Sequence, residues 1–167
     1  MCVTEPFRGR HEPIDAHCVA DKLWVGSYPQ VPGTCGYFDV VVLCAVELQT
    51  ADLPGCHVVK APLDDAKPTP KELQTAVSAA RTVHEFRRRG KRVLVTCAQG
   101  VNRSAFVAAM ALMLAGDSAH QAISRIREFR KPPIGMTPLS NTHFVAVLHR
   151  MGQRPRGLGQ HRPISAL

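Results

Sequence analysis

An eight-residue segment, C-A-Q-G-V-N-R-S from Cys97 to Ser104, combines the residue types that phosphate chemistry needs. A cysteine thiolate is a strong nucleophile, and a guanidinium such as that of Arg103 holds two phosphate oxygens at once. Gly100, between the two, gives the backbone the freedom to curl around an anion. The spacing therefore predicts a loop that binds a phosphate group and attacks it.

The segments on either side of the loop position it. Arg92–Thr96 is predicted to be a buried strand and Ala105–Ala115 a core helix, so the loop joins them at the carboxyl edge of a sheet, where ligands bind. Its backbone N–H groups and the positive end of the helix attract an anion and also stabilise a thiolate. This context argues against an accidental match around an inert, buried cysteine. The residues expected to contact phosphate are Ala98, Gln99, Gly100, Val101, Asn102 and Arg103.

Two adjacent carboxylates, Asp64 and Asp65, are candidates for proton transfer. Cleavage of a phosphate ester needs a proton donor, and hydrolysis of a phosphorylated cysteine needs a base; one carboxyl group serves in both steps. The pair follows the predicted strand His57–Ala61 and precedes a helix, which puts it at the same sheet edge as Cys97. Without Cys97, a solvated turn would be the favoured interpretation.

Short β-branched runs alternate with helical patterns along the middle of the chain. Strands are predicted at Asp39–Cys44, His57–Ala61 and Arg92–Thr96, with a weaker one at Leu23–Val25. Helices are predicted from capping boxes at Thr69 and Ser118, at Ala105–Ala115, and from Phe144 to Met151. The alternation predicts a single α/β domain with a mostly parallel sheet of about four to five strands flanked by helices.

Composition favours one domain with an excess of positive charge. Of the 167 residues, 14–152 are predicted to form the catalytic domain, with flexible arms at 1–13 and 153–167. The chain has 21 Lys and Arg against 13 Asp and Glu, a formal net charge of +8, which favours anionic partners. Its longest apolar run is too short to span a membrane, and its histidines lack metal-binding spacing.

The six cysteines show no regular spacing and include no C-x-x-C pair, so a disulfide framework is not expected. The first fifteen residues lack the basic start and apolar run of a signal peptide. A reducing cytoplasm is therefore the expected location.

The segment from Arg92 to Ser104 resembles the catalytic loop of the dual-specificity branch of the protein tyrosine phosphatase superfamily. The similarity extends from about Asp21 to Met151, with further matches at Leu23–Ser27, at Ala122–Arg127 with Arg130, and at Asn141–Phe144. The last of these makes Asn141 a further candidate site residue. The resemblance implies a two-step reaction through a phosphocysteine, without a metal or other cofactor.

The resemblance also implies a role for each matched residue. Cys97 attacks phosphorus, Arg103 and the loop amides hold its oxygens, and Ser104 eases departure of the thiolate in the second step. The acid of the family lies in a loop similar to Pro62–Asp65, which favours Asp65 over Asp64 as the general acid.

Two other residues near the nucleophile bear on its chemistry. The family usually has a histidine directly before the cysteine, whereas this chain has Thr96. The absence of that histidine predicts slower turnover, although the threonine hydroxyl can still form a hydrogen bond within the loop. Cys44 ends a strand expected beside that of Cys97, so it is a candidate redox partner; ordinary core filling is the alternative.

The sequence favours a phosphatase that acts on phosphorylated protein, on phosphotyrosine and on phosphoserine or phosphothreonine. Relatives that act on phosphoinositides tend to carry lysines in this loop, so the resemblance together with the uncharged loop residues of this chain weakens the case for a phosphoinositide substrate. An RNA 5'-triphosphatase is a second interpretation, because Asn102–Arg103 resembles that branch, but the basic clusters lack interleaved aromatic residues for base stacking. A pseudophosphatase that binds phosphorylated partners is the third, and Thr96 is its support. The oligomeric state has no signal in the sequence.

Overall fold

The computed structural model describes residues 15–28, 34–49, 53–133 and 135–153, and within these ranges the chain forms five strands and five helices. The strands are β1 (Ala16–Ala20), β2 (Leu23–Ser27), β3 (Val40–Ala45), β4 (His57–Leu63) and β5 (Val93–Cys97). The helices are α1 (Thr34–Tyr37), α2 (Pro70–Arg88), α3 (Arg103–Leu114), α4 (Ala119–Phe129) and α5 (Thr142–Gly152).

The strands form one sheet in the order β1-β2-β5-β3-β4. Only β1 and β2 pair antiparallel among the described strands; all other neighbours are parallel, which confirms the predicted mostly parallel α/β sheet. β5 lies at the centre, where Thr96 faces Gly26 of β2 and Leu43 of β3. The carboxyl ends of β2, β3, β4 and β5 therefore meet at one edge, and the Cys97–Ser104 loop leaves from that edge.

The helices begin where the sequence places their caps. The side chain of Thr69 accepts a hydrogen bond from the Glu72 backbone at 3.2 Å, and Glu72 accepts one from the Thr69 backbone at 2.9 Å. Ser118 and Gln121 form the same reciprocal capping box at the start of α4. Each box satisfies backbone donors that the first helical turn would leave unpaired.

The helix behind the loop, α3, is the centre of the molecule. Every residue from Arg103 to Leu112 is buried, and Phe106 stacks on Phe144 of α5 with ring centroids 4.3 Å apart. The main core joins one face of the sheet to α2, α3, α4 and α5. A smaller cluster covers the other face, where Trp24, Tyr37 and Phe38 pack edge to face. Packing on both sides thus fixes the helix whose first turn carries Arg103.

Some elements differ from those predicted. β1 was not predicted, because A-H-C-V-A contains a single β-branched residue; pairing with β2 stabilises it. The short helix α1 was not predicted either. The predicted arm at 1–13 and all of the predicted arm at 153–167 except Gln153 lie outside the described residues. Within the described ranges, no helix combines the length and apolarity that crossing a bilayer requires.

The cysteines correct one expectation. Cys18 and Cys56 are each disulfide-bonded, although the irregular spacing predicted no disulfide framework. Spacing along the chain does not report which cysteines a fold brings together. Cys44 and Cys97 are free.

Candidate active site

Cys97 lies at the end of β5 and forms the floor of a cavity. Its side chain is 3% exposed, and its Sγ lies 3.2 Å from the hydroxyl oxygen of Ser104 in the first turn of α3. The cavity has a volume of about 320 Å³. The residues that line it are Asp65, Cys97, Ala98, Gln99, Val101, Asn102, Arg103, Gly135, Met136, Thr137 and Ser140. The thiol is therefore reached only from the cavity, and a hydroxyl lies within reach of its sulfur.

Arg103 is almost fully buried beside the thiol and is held by Glu47. Its Nη1 and Nη2 donate to the two carboxylate oxygens of Glu47 at 2.6 and 2.8 Å. Its Nε is buried and has no hydrogen-bond partner among the described residues. A buried donor without an acceptor costs free energy, so a phosphate oxygen in the cavity is the kind of partner that this nitrogen lacks.

The pair of Arg103 and Glu47 remains charged over a wide pH range. Burial alone would lower the pKa of Arg103, but the hydrogen bonds to Glu47 and the negative charges nearby raise it above its ordinary value. The hydrogen bond from Arg103 lowers the pKa of Glu47. The cation at the base of the cavity therefore persists at any pH at which the protein is folded.

The loop backbone is held from below by Arg130, a fully buried residue at the end of α4. Its guanidinium donates to the carbonyl oxygens of Gln99 at 3.0 Å and of Gly100 at 2.9 Å, and pairs with both carboxylate oxygens of Asp15. Gly100 has a φ of +64°, and a Cβ there would lie within 2.6 Å of Gly26 and of the Arg130 guanidinium. Carbonyls that point down to Arg130 leave the loop N–H groups free to face the cavity.

Thr96 does not bond within the loop, in contrast to the possibility that the sequence allowed. Its hydroxyl donates to the carbonyl oxygen of Val42 on the neighbouring strand β3, at 3.1 Å, and the side chain is fully buried. A buried hydroxyl needs a hydrogen-bond acceptor, and the nearest one at this position is a carbonyl oxygen of the neighbouring strand. Arg130 and Asp15 order the loop instead, which the spacing of the motif does not reveal.

The two candidate acids, Asp64 and Asp65, have different surroundings in the structure. Both side chains are exposed, but Asp65 lines the cavity with Cys97, whereas Asp64 does not and accepts a hydrogen bond from the Asp65 backbone at 2.8 Å. The carboxylate of Asp65 accepts from the side-chain amide of Asn102 at 3.1 Å and from that of Asn141 at 2.9 Å. Both of its oxygens are thus held in place at the mouth of the cavity.

Asn102 and Glu72 fix the surroundings of this carboxylate. The amide oxygen of Asn102 accepts from the Ser140 hydroxyl at 3.2 Å and from the Asn141 backbone at 3.0 Å. On the other side, Glu72 of α2 accepts from the Asp64 backbone at 2.8 Å. The acid loop, the phosphate loop and the start of α5 are therefore joined by direct hydrogen bonds.

Cys44 lies next to the nucleophile on a parallel strand. Leu43 and Thr96 are register partners, so Cys44 and Cys97 follow them in adjacent positions on β3 and β5. Burial raises the pKa of the Cys44 thiol well above its usual range, and the charge of Cys97 adds to the shift. The neighbouring sulfurs therefore differ: Cys44 is a buried neutral thiol, and Cys97 faces the cavity.

Sequence reasoning missed Glu47 and the role of Arg130. Glu47 follows β3 at the same sheet edge as the two aspartates, so its position was a signal, but nothing in the motif marks it. The partners of Arg130 lie 30 and 115 positions away along the chain, which no local pattern encodes.

No protein-family profile and no curated protein sequence matches this chain. Several solved structures do match it in their fold. Human DUSP28 aligns with a TM-score of 0.67 and 22% identity, over 84% of this chain and 95% of that chain. DUSP15 aligns with a TM-score of 0.69 and 19% identity, over 83% and 88% of the two chains. OH1 of the Orf virus, a tyrosine phosphatase, aligns with a TM-score of 0.66 and 18% identity, over 82% and 86%. This chain therefore has the fold of the dual-specificity phosphatases in the protein tyrosine phosphatase superfamily.

Proposed function

We propose that this protein is a cysteine-dependent phosphomonoesterase that hydrolyses phosphorylated protein through a phosphocysteine intermediate. The observation that carries the proposal is the floor of the cavity: a free thiol at Cys97 beside a buried guanidinium, Arg103, with an unused Nε donor. A site with a nucleophile, an anion-binding cation and curled backbone amides fits a phosphate ester. The similar structures that are named phosphatases support the same chemistry.

In the first step the Cys97 thiolate attacks phosphorus and the bond to the substrate oxygen breaks. The oxygen leaves with the bond electrons and takes a proton from Asp65, which lines the same cavity. Arg103 and the loop N–H groups stabilise the charge that spreads over the other three phosphate oxygens. The products are a thiophosphate ester at Cys97 and a free alcohol or phenol.

In the second step a water molecule attacks phosphorus and gives a proton to Asp65, which is ionised after the first step. The bond between sulfur and phosphorus breaks, and inorganic phosphate leaves. The electrons return to Cys97 as a thiolate, and the Ser104 hydroxyl, 3.2 Å from the sulfur, donates a hydrogen bond to it. The cycle needs water and no other co-reactant.

The wild-type protein is expected to release phosphate from p-nitrophenyl phosphate and from phosphotyrosine peptides, and Asp65→Asn is expected to lose about a hundredfold in kcat. The loss should grow with the pKa of the leaving alcohol, because a poorer leaving group needs the proton more. Steady-state kinetics on a series of aryl phosphates with graded leaving groups measures this dependence.

Asp64→Asn is the matched control, since it makes the same change one residue away, at a side chain that does not line the cavity. It should stay within about threefold of wild type. Equal losses in the two variants, or a larger loss in Asp64→Asn, would exclude Asp65 as the acid.

The same assays decide between the proposal and the alternatives. Among the described residues, those lining the cavity include no aromatic side chain, which disfavours base stacking and hence an RNA substrate. Phosphate release from triphosphate-ended RNA, with none from aryl phosphates or phosphopeptides, would replace the proposal with the triphosphatase. Binding of phosphopeptides without turnover of any substrate would indicate a pseudophosphatase.

Cys44 is proposed as the redox partner of Cys97. Peroxide oxidises the Cys97 thiolate to a sulfenic acid, and the Cys44 thiol then displaces water from it and forms a disulfide. Adjacent positions on neighbouring strands suit the distance between Cα atoms that a disulfide requires. Mild peroxide treatment of wild type should yield a Cys44–Cys97 disulfide by mass spectrometry and activity that dithiothreitol restores.

Cys44→Ala is the comparison for this redox prediction. Without the partner thiol, Cys97 should proceed to the sulfinic acid, and activity should stay lost after reduction. Equal recovery of activity in the variant and in wild type would show that Cys44 only fills the core.

A cytoplasmic location is proposed from the reduced thiol that this reaction needs. The disulfide bonds of Cys18 and Cys56 favour an oxidising compartment instead. Fractionation of the native cells, followed by detection of the protein, distinguishes the two: recovery in the cytosolic fraction supports the cytoplasm, and recovery in a secretory or extracellular fraction rejects it.

A further inference from the structure

One wall of the cavity is built by the connection between α4 and α5. Gly135, Met136, Thr137 and Ser140 of this connection line the cavity. Met136 is 37% exposed, and among the described lining residues it is the large apolar side chain that presents surface to solvent. An exposed methionine at the mouth of a polar cavity is available to an incoming substrate.

Hydrogen bonds hold this wall in a fixed place beside the phosphate loop. The Leu139 backbone donates to the carbonyl oxygen of Val101 at 2.9 Å, and Arg127 of α4 donates to the carbonyl oxygens of Pro138 and Leu139 at 3.3 and 3.1 Å. The Met136 backbone donates to the carbonyl oxygen of Pro133 at 3.2 Å. Met136 therefore lies in a connection that is hydrogen-bonded directly to the phosphate loop.

The depth of the floor constrains the substrate. Cys97 and Arg103 are 3% and 7% exposed, so a phosphorus atom must descend past the rim to meet them. A tyrosine ring separates phosphate from the peptide backbone by more than the short side chains of serine and threonine do. Such a ring would pass the rim at the level of Met136, and a thioether makes favourable contacts with aromatic rings.

We propose that Met136 is a specificity-determining residue that packs against the aryl ring of phosphotyrosine and makes the site prefer aryl over alkyl phosphate esters. This inference rests on the proposed phosphatase function. Met136 contacts the substrate and not the reacting atoms, so its effect lies in binding: the variant raises KM for an aryl substrate and leaves kcat unchanged.

The test compares kcat and KM on two peptides of one sequence, one with phosphotyrosine and one with phosphothreonine at the same position. Met136→Ala is expected to lower kcat/KM for the phosphotyrosine peptide about three- to tenfold through KM, and to leave the phosphothreonine peptide within about twofold. Met136→Leu, which keeps apolar volume, should retain most of the preference.

Met151→Ala is the matched control, because Met151 is 36% exposed and lines a separate groove with Met110 and Met113. It should change neither peptide. Equal losses on both peptides in Met136→Ala, or no loss on either, would overturn the inference. An inactive wild type would refute the proposed function instead; binding of the two peptides by the Cys97→Ser variant would then still test whether Met136→Ala removes the preference for phosphotyrosine.

Discussion

Replacement of Cys97 by serine is expected to lower kcat by at least about a thousandfold while the protein still binds phosphopeptide. A serine hydroxyl stays protonated in the field that stabilises a thiolate, and among the described residues no histidine lines the cavity to remove its proton. The anion site does not depend on the sulfur, because Arg103 and the loop backbone remain. Removal of the thiolate that the proposed mechanism requires should strengthen phosphate binding.

Two measurements test this prediction together. Phosphate release from a phosphotyrosine peptide reports turnover, and isothermal titration with the same peptide reports binding by Cys97→Ser. Cys44→Ala serves as the control, since it removes the neighbouring free thiol and should keep kcat within about threefold. Substantial turnover by Cys97→Ser would contradict a covalent intermediate, and loss of binding with an unchanged melting temperature would contradict an anion site built by the loop.

The parts of the fold that local patterns encode were predictable. The runs of valine and leucine in β3 and β5 and the capping boxes at Thr69 and Ser118 indicated their elements, because burial and capping act over a few residues. β1 escaped prediction because its pairing with β2, and not its own composition, makes it a strand. The disulfide bonds of Cys18 and Cys56 escaped for a similar reason, since the pairing of cysteines depends on the fold and not on their spacing along the chain.

The residues of the candidate site likewise fall into two groups, those that a local pattern predicts and those that only the fold brings together. The loop from Cys97 to Ser104 is contiguous, so its residues and their geometry follow from spacing, and the strand before it and helix after it were visible. Glu47 and Arg130 reach the loop from β3 and α4, and their contacts depend on the order of strands in the sheet. The sequence therefore predicts the groups that we propose to bind phosphate, and the structure adds the groups that hold them.

Replacement of Arg103 by lysine is expected to lower kcat/KM about a hundred- to thousandfold. A lysine keeps the positive charge but lacks the planar fork. Its single ammonium cannot match the two contacts to Glu47 and also offer a fixed donor to a phosphate oxygen in place of the Arg103 Nε. Inorganic phosphate should raise the melting temperature of wild type and should not raise that of Arg103→Lys.

Glu47→Gln tests whether the carboxylate acts through this arginine. The amide keeps the shape of the side chain but loses the charge that holds both Nη atoms, so kcat/KM should fall about tenfold as the guanidinium gains freedom. In the Arg103→Lys background the same change should cost almost nothing further, because a positioning residue has no effect once the group that it positions is gone. Full additivity of the two losses would mean that Glu47 affects the substrate by a route that does not pass through Arg103.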